Sequence, residues 1–113
     1  MGKVIEKVKV TNLFDTTKSV EVEAIVDTGA TMVVLPQNIV DELGLRKIRE
    51  TNVRYANNHV ESKSIYGVVT IEIKGRSANL DVLAEAKDSQ PLIGQMVLLL
   101  LDLVVEPNTQ TLI

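Results

Sequence analysis

The chain has 113 residues, which fits a single domain spanning 1–113, and 45% of them are hydrophobic, which is sufficient for a core of that size. A net charge of −3, without a visible basic patch, argues against nucleic acid as the main partner. Because the sequence contains no cysteine, disulfides, thiolate nucleophiles and zinc–thiolate sites are excluded.

The sequence favours a protein that does not contact a membrane. Its first residues lack the apolar region of a signal peptide. The most apolar stretch, 96–105, is interrupted by Asp102 and is too short to span a bilayer. We therefore expect a cytoplasmic location.

The N-terminal part of the chain predicts a β-hairpin that leads to an aspartate. Apolar and polar side chains alternate over residues 4–12 and again over 20–26, with a polar turn between them. We expect these two strands to pair and the second to end at Asp27. The apolar run at 32–35 predicts the next strand.

The rest of the chain has the pattern of short strands with one or two short helices. Pro36 near the start and Gly44 at the end predict a helix near 37–43. Further strand candidates lie at 48–55, 60–65, 69–73, 78–82 and 103–105. Residues 95–101 predict a second helix, which has no polar face and is therefore expected to be buried. These elements predict a mainly β fold, a closed or nearly closed β barrel.

Asp27 is the most informative residue, because it lies between two apolar segments that read as buried strands. A carboxylate in such a place is unfavourable unless it is hydrogen bonded or partly protonated. Gly29 allows a close backbone approach, and Thr28 supplies a hydroxyl. An ordinary polar hairpin turn is the alternative, but the nearly continuous apolar flanks disfavour it. The turn is suited to holding one acid in a fixed position.

The sequence Ile25-Val26-Asp27-Thr28-Gly29-Ala30 resembles the signature of the retropepsin-like aspartic proteases, which is two apolar residues, Asp-Thr-Gly-Ala and a short apolar strand. Later in the chain, Leu92-Ile93-Gly94 and the helix after it match the family's second element, which packs beside the catalytic turn in a ψ-shaped crossing. The resemblance covers most of the chain. It implies a single retropepsin-like domain with an acid-protease-type closed β barrel. It also implies that Asp27 is catalytic, with support from the turn residues Thr28, Gly29 and Ala30 and from the crossing residues Leu92, Ile93 and Gly94.

The family has a β-hairpin flap between these two elements, and the flap closes over substrate. Residues 53–64 fall in the corresponding place. The resemblance therefore implies that substrate contacts the flap residues Tyr55, Ala56, Asn57, Asn58 and His59. The residues alone favour an ordinary exposed turn, and only their position relative to Asp27 argues for a flap.

Two features depart from the family's pattern. Asn57 and Asn58 stand where the flap tip usually has glycine. Thr31 and Gln95 occupy the positions at which retroviral proteases have an acid and an arginine that form an ion pair. Because both partners of that pair are replaced together, the sequence favours the cellular and prokaryotic branch of the family.

Aspartic proteolysis needs two carboxylates that share one proton across a water molecule, one acting as base and the other as acid. The chain contains a single Asp-Thr-Gly, so the second carboxylate must come from a second copy. The sequence therefore predicts a homodimeric endopeptidase that acts on peptides or proteins, without cofactor or metal. The tail at 109–113 is rich in strand-forming residues, and we expect it to pair across the dimer interface.

Other functions explain the residues less well. A domain that dimerises and binds peptides without cleaving them is the main alternative, and a plain β-barrel subunit would leave Asp27 unexplained. A Ser–His–Asp site would combine His59 with Ser62 or Ser64, which lie too close along one hairpin and lack a nucleophile elbow. A single histidine without cysteine makes a transition-metal site improbable.

Overall fold

The computed structural model describes residues 4–106, 108–109 and 111–113. The elements in chain order are β1 (Val4–Asn12), β2 (Asp15–Val26), β3 (Val33–Pro36), α1 (Gln37–Glu42), β4 (Arg46–Arg54), β5 (Val60–Ile73), β6 (Arg76–Glu85), β7 (Leu92–Ile93), α2 (Gln95–Leu101), β8 (Val105–Glu106) and β9 (Thr111–Leu112). Strands make up 59% of the structure and helices 12%, which confirms the predicted mainly β fold. Neither helix in the described part of the chain has the length and apolar character that crossing a membrane requires.

The seven-stranded sheet closes into a ring. Its strand order is β1-β2-β7-β3-β6-β5-β4, and an additional pairing of β1 with β5 completes the ring. β4 lies outside the ring, where it pairs with β5 alone. The predicted closed barrel therefore takes the form of a closed sheet ring with one hairpin projecting from it.

Alternation along the strands places one set of side chains inside this ring. Val8 and Val10 of β1 face Val22 and Val20 of β2 in the predicted hairpin register. A strand points successive side chains to opposite faces, so the same spacing buries Ile71 and Ile73 on β5. The largest fully buried side chains are Leu35, Leu43, Ile65, Ile71, Ile73, Ile93, Leu112, Val8, Val10, Val40, Val69 and Val82. Aliphatic side chains thus form the whole of the central core.

Both helices lie where the sequence predicts them, but the expectation that the second is buried is wrong in part. One side of α2 packs into the core through Val97 and Leu98. Met96, Leu99 and Leu100 are exposed on the single chain. The apolar sequence of α2 allows burial on all sides. The described part of one chain covers only the side that carries Val97 and Leu98.

Two strand predictions need correction. The candidates at 60–65 and 69–73 form one continuous strand, β5, whose register against β6 shifts between Tyr66 and Val69. In the C-terminal region the strand predicted at 103–105 is replaced by β8, which begins two residues later and ends at Glu106.

Within one chain, the tail forms a hairpin, and its pairing across a dimer interface stays a prediction. β9 pairs with β8 of the same chain, with Leu112 opposite Val105, and Leu112 is buried. Main-chain hydrogen bonds of 2.9 Å in both directions between Val104 and Ile113 extend this hairpin. Residue 110 of the predicted tail lies outside the described residues.

Candidate active site

The Asp27 turn (residues 27–31) begins where β2 ends. The amide of Gly29 donates a 2.9 Å hydrogen bond to Oδ1 of Asp27, and the amide of Ala30 donates to the main-chain oxygen of Asp27 at 3.1 Å. A Cβ at position 29 would lie 3.2 Å from the same Oδ1 atom, so glycine permits this close approach. The turn therefore holds the carboxylate in one orientation, as its sequence predicts.

The surroundings of Asp27 are more open than the sequence suggests. Asp27, Thr28 and Gly29 are exposed on the single chain, and the flanking Ile25 and Val26 are only half-buried. These residues lie at the end of β2, where no element in the described part of the chain covers them. The expected burial of the acid is therefore wrong for the isolated chain.

The crossing predicted for residues 92–94 is present. β7 pairs in parallel with β2, placing Ile93 opposite Val26, and antiparallel with β3. The oxygen of Ile93 accepts the amide of Asp27 at 2.9 Å. β7 is thus inserted between the strands before and after the turn and fixes its first residue.

Gly94 and the start of α2 fasten the other side of the turn. The amide of Gln95 donates to the oxygen of Ala30 at 2.8 Å, and the amide of Met96 donates to the oxygen of Thr31 at 3.1 Å. A Cβ at Gly94 would lie 2.6 Å from the main-chain oxygens of Thr31 and Met32. Glycine is therefore required here for the backbone contact itself.

The flap hairpin (β4, the turn at 55–59 and β5) has a tight tip. The amide of Tyr55 donates to the oxygen of His59 at 2.8 Å, and the amide of Asn58 donates to the oxygen of Tyr55 at 2.9 Å. Asn58 has φ of 65°, and the Asn57 side chain accepts the His59 amide at 2.9 Å. Asparagine is among the residues that tolerate this left-handed conformation. The two asparagines thus form the tight turn at the positions where the resemblance implies glycine.

A cavity of about 510 Å³ lies between the Asp27 turn and the flap hairpin. Residues 29–32 line one side and residues 51–54 line the other, and Val34, Leu83 and Glu85 complete the lining. Of the predicted flap contacts, Tyr55, Ala56, Asn57 and His59 instead line a separate, open depression with Glu61.

Sequence reasoning did not identify residues 51–54, Leu83 or Glu85 as part of the cavity. The alternation along β4 and β6 shows that each strand has two distinct faces. It does not show which of the two faces lies toward the Asp27 turn. That assignment depends on the parallel pairing of β6 with β3, which the sequence does not reveal.

Charged side chains at the edge of the cavity perturb one another. Hydrogen bonding to Glu85 raises the pKa of Lys63 above its usual range. Burial raises the pKa of Glu85, but hydrogen bonds from Lys63 and Tyr55 outweigh burial and lower it. Burial and the hydrogen bond to Glu85 raise the pKa of Tyr55. At neutral pH, Lys63 and Glu85 therefore carry opposite charges.

Comparison with known proteins identifies the family. The sequence matches the family described as "gag-polyprotein putative aspartyl protease" over residues 16–99, which is more than half of the chain. No curated protein sequence matches it.

Solved structures show a similar fold. EIAV protease complexed with the inhibitor HBY-793 has a TM-score of 0.62 at 22% identity, covering 87% of this chain and 86% of that one. The solution structure of simian foamy virus (mac) protease has a TM-score of 0.58 at 19% identity, covering 83% and 90%. The chain therefore belongs to the retropepsin-like family of aspartic proteases.

Proposed function

We propose that the protein is a homodimeric aspartic endopeptidase in which Asp27 of each copy contributes one carboxylate to a shared dyad. The observation that carries the proposal is the Asp27 carboxylate itself, which the Gly29 amide holds at an exposed turn fastened by β7 and α2. Such a turn occurs once in the sequence, so a second copy must complete the pair.

The dyad activates water by dividing two roles between identical groups. Two carboxylates held side by side share one proton, because the loss of the second proton would place two negative charges together. The ionised carboxylate takes a proton from the water, and the protonated carboxylate hydrogen-bonds the scissile carbonyl. The experiment that tests this function is a peptide-library digest of wild type beside Asp27→Asn.

The cavity beside the turn is suited to peptide side chains. Its lining includes Met32, Val34, Val53 and Leu83, which provide an apolar surface between the Asp27 turn and the flap hairpin. Burial of apolar side chains there would supply binding energy near the scissile bond. We therefore expect cleavage next to apolar residues.

The dimer face lies next to the Asp27 turn. Thr28 lines a depression of about 380 Å³ together with Gln95, Leu99 and Val104. Leu99 and Val104 are 67% and 60% exposed, and Ile113, which is hydrogen bonded to Val104, is 62% exposed. A second copy that covers these apolar side chains would bring its own Asp27 beside the first. The contact that buries the apolar side chains would therefore also complete the dyad.

Val104→Lys is expected to weaken the dimer by about thirtyfold or more, because it places a charge in the apolar centre of this face. The main-chain hydrogen bonds of Val104 to Ile113 do not involve the side chain, so the hairpin should persist. Sedimentation velocity over a concentration series measures the change. Phe14→Lys is the matched control, because Phe14 is 78% exposed in the turn before β2, whereas the Asp27 turn follows the other end of that strand. Equal dimer affinity in the two variants would place the interface elsewhere.

A further inference from the structure

Main-chain pairing joins only the inner part of the flap hairpin to the rest of the sheet. Ile65 of β5 and Leu83 of β6 are the last residues paired across these strands. Beyond them, residues 60–64 pair with β4 alone, while Glu85 pairs with Pro36 of β3. The outer half of the flap hairpin is therefore joined to the protein body by side chains.

Glu85 makes that join. Its Oε2 atom accepts a 3.1 Å hydrogen bond from the Tyr55 hydroxyl. Its Oε1 atom lies 2.8 Å from Lys63 Nζ, with which it forms an ion pair. Tyr55 follows β4 and Lys63 lies on β5, so one carboxylate holds both arms of the hairpin. The Lys63 and Glu85 side chains are only 17% and 25% exposed, which limits solvent screening of the pair.

The strand geometry explains why these side chains meet. Lys63 lies two residues before Ile65, and Glu85 lies two residues after Leu83, so each shares a face with the last paired residue. Lys63 and Glu85 thus stand where the next cross-strand pair would be. Here their side chains bridge the gap that opens as the strands diverge.

The same face carries the contact outward to the flap tip. Glu61 accepts from Lys63 Nζ at 3.2 Å and lies 3.2 Å from His59 Nε2. The His59 ring stacks on Tyr55 with ring centroids 6.4 Å apart. The charges of Glu85, Lys63 and Glu61 therefore alternate in sign from the wall of the cavity toward the tip, and Glu85 is the one member on the protein body.

We propose that Glu85 is a positioning residue that anchors the flap over the cavity through Tyr55 and Lys63. The flap anchor is defined as these three residues. The role of the anchor in substrate binding rests on the proposed function, but its effect on the hairpin does not. Glu85 also lines the cavity, so a change in the anchor alters the same space that substrate would occupy.

Hydrogen exchange on the dimer without substrate tests the anchor independently of activity. In Glu85→Gln, the charge-assisted bonds are lost, and we expect the amides of residues 55–61 to exchange about tenfold faster. Tyr55→Phe should cause a smaller increase in the same amides. Glu50→Gln is the matched control, because Glu50 forms an exposed 2.8 Å pair with Lys47 on the same hairpin. Unchanged exchange in Glu85→Gln, or equal acceleration throughout β1, would overturn the proposal.

Kinetics and a double variant separate positioning from general stability. If wild type cleaves peptides, Glu85→Gln should raise KM several-fold and change kcat less, because the flap contributes to binding before the chemical step. Lys63→Gln should also accelerate exchange of the same amides, and the double variant with Glu85→Gln should show less acceleration than the sum of the two single effects, because both substitutions break the same ion pair. Fully additive effects would contradict the anchor. If wild type cleaves no peptide but Glu85→Gln still accelerates exchange, the protease proposal is refuted and the anchor proposal stands.

Discussion

Asp27→Asn is expected to reduce the rate of peptide cleavage by about a thousandfold or more, while the fold and the dimer persist. The substitution preserves the shape of the side chain, and its amide oxygen can still accept the 2.9 Å hydrogen bond from Gly29. It removes the proton exchange that the dyad requires. Cleavage of a peptide library, followed by mass spectrometry, measures the loss, and sedimentation checks that the dimer remains.

The pH dependence provides a second measurement on the same dyad. Cleavage by wild type should follow a bell-shaped profile centred on the acid side of neutral, because only the singly protonated pair is active. Removing the two like charges should also make the Asp27→Asn dimer at least as tight as wild type at neutral pH. A profile that rises steadily into the alkaline range would contradict a carboxylate pair.

Asp88→Asn is a suitable control for general effects of this substitution. Asp88 is exposed on the loop after β6, and asparagine tolerates its φ of 65°. Full cleavage in Asp27→Asn would end the aspartic protease interpretation. An intact dimer that cleaves no peptide as wild type would instead support the peptide-binding alternative.

Sequence patterns predicted the parts of the fold that depend on local order. The alternation around Val8 and Val10 predicted a hairpin, and Asp27-Thr28-Gly29 indicated a fixed acid because each residue type has a distinct local role. The place of Gly94 in the crossing was implied by the resemblance to the family's second element. These features are determined by residues close together in the chain or by a short signature.

The flap anchor and the cavity lining could not be predicted in this way. Tyr55 and Glu85 are separated by 30 positions, and their contact depends on how β5 and β6 diverge beyond Ile65. A charged residue at the end of a strand normally predicts a side chain that is exposed to solvent. Similarly, the apolar side chains on α2 do not show whether the same chain or another copy covers them.

The neutral residues Thr31 and Gln95 lie where main-chain bonds join the Asp27 turn to α2. The amides of Gln95 and Met96 donate to the oxygens of Ala30 and Thr31. These bonds join the turn to α2 without a charged side chain at either position. The assignment to the cellular and prokaryotic branch rests on these two positions and stays a prediction.

Gly94→Ala is expected to destabilise the protein by about 3 kcal/mol, because the new methyl group meets backbone that cannot rotate away. The main-chain oxygens of Thr31 and Met32 would lie 2.6 Å from the added Cβ. Either the turn or the start of α2 must move, and that movement would strain the hydrogen bonds from Gln95 and Met96. Urea unfolding measures the stability, and the cleavage rate per folded molecule measures displacement of the turn.

Gly75→Ala separates this effect from the general cost of replacing glycine. Gly75 has φ of 78°, so alanine there is strained by about 1 kcal/mol, but the added Cβ would meet no atom within 4 Å. It lies on the β5–β6 turn, away from the Asp27 turn. We therefore expect Gly75→Ala to lose stability and retain the cleavage rate per folded molecule, whereas Gly94→Ala should lose both. A Gly94→Ala protein as stable and active as Gly75→Ala would show that the crossing is looser than its contacts indicate.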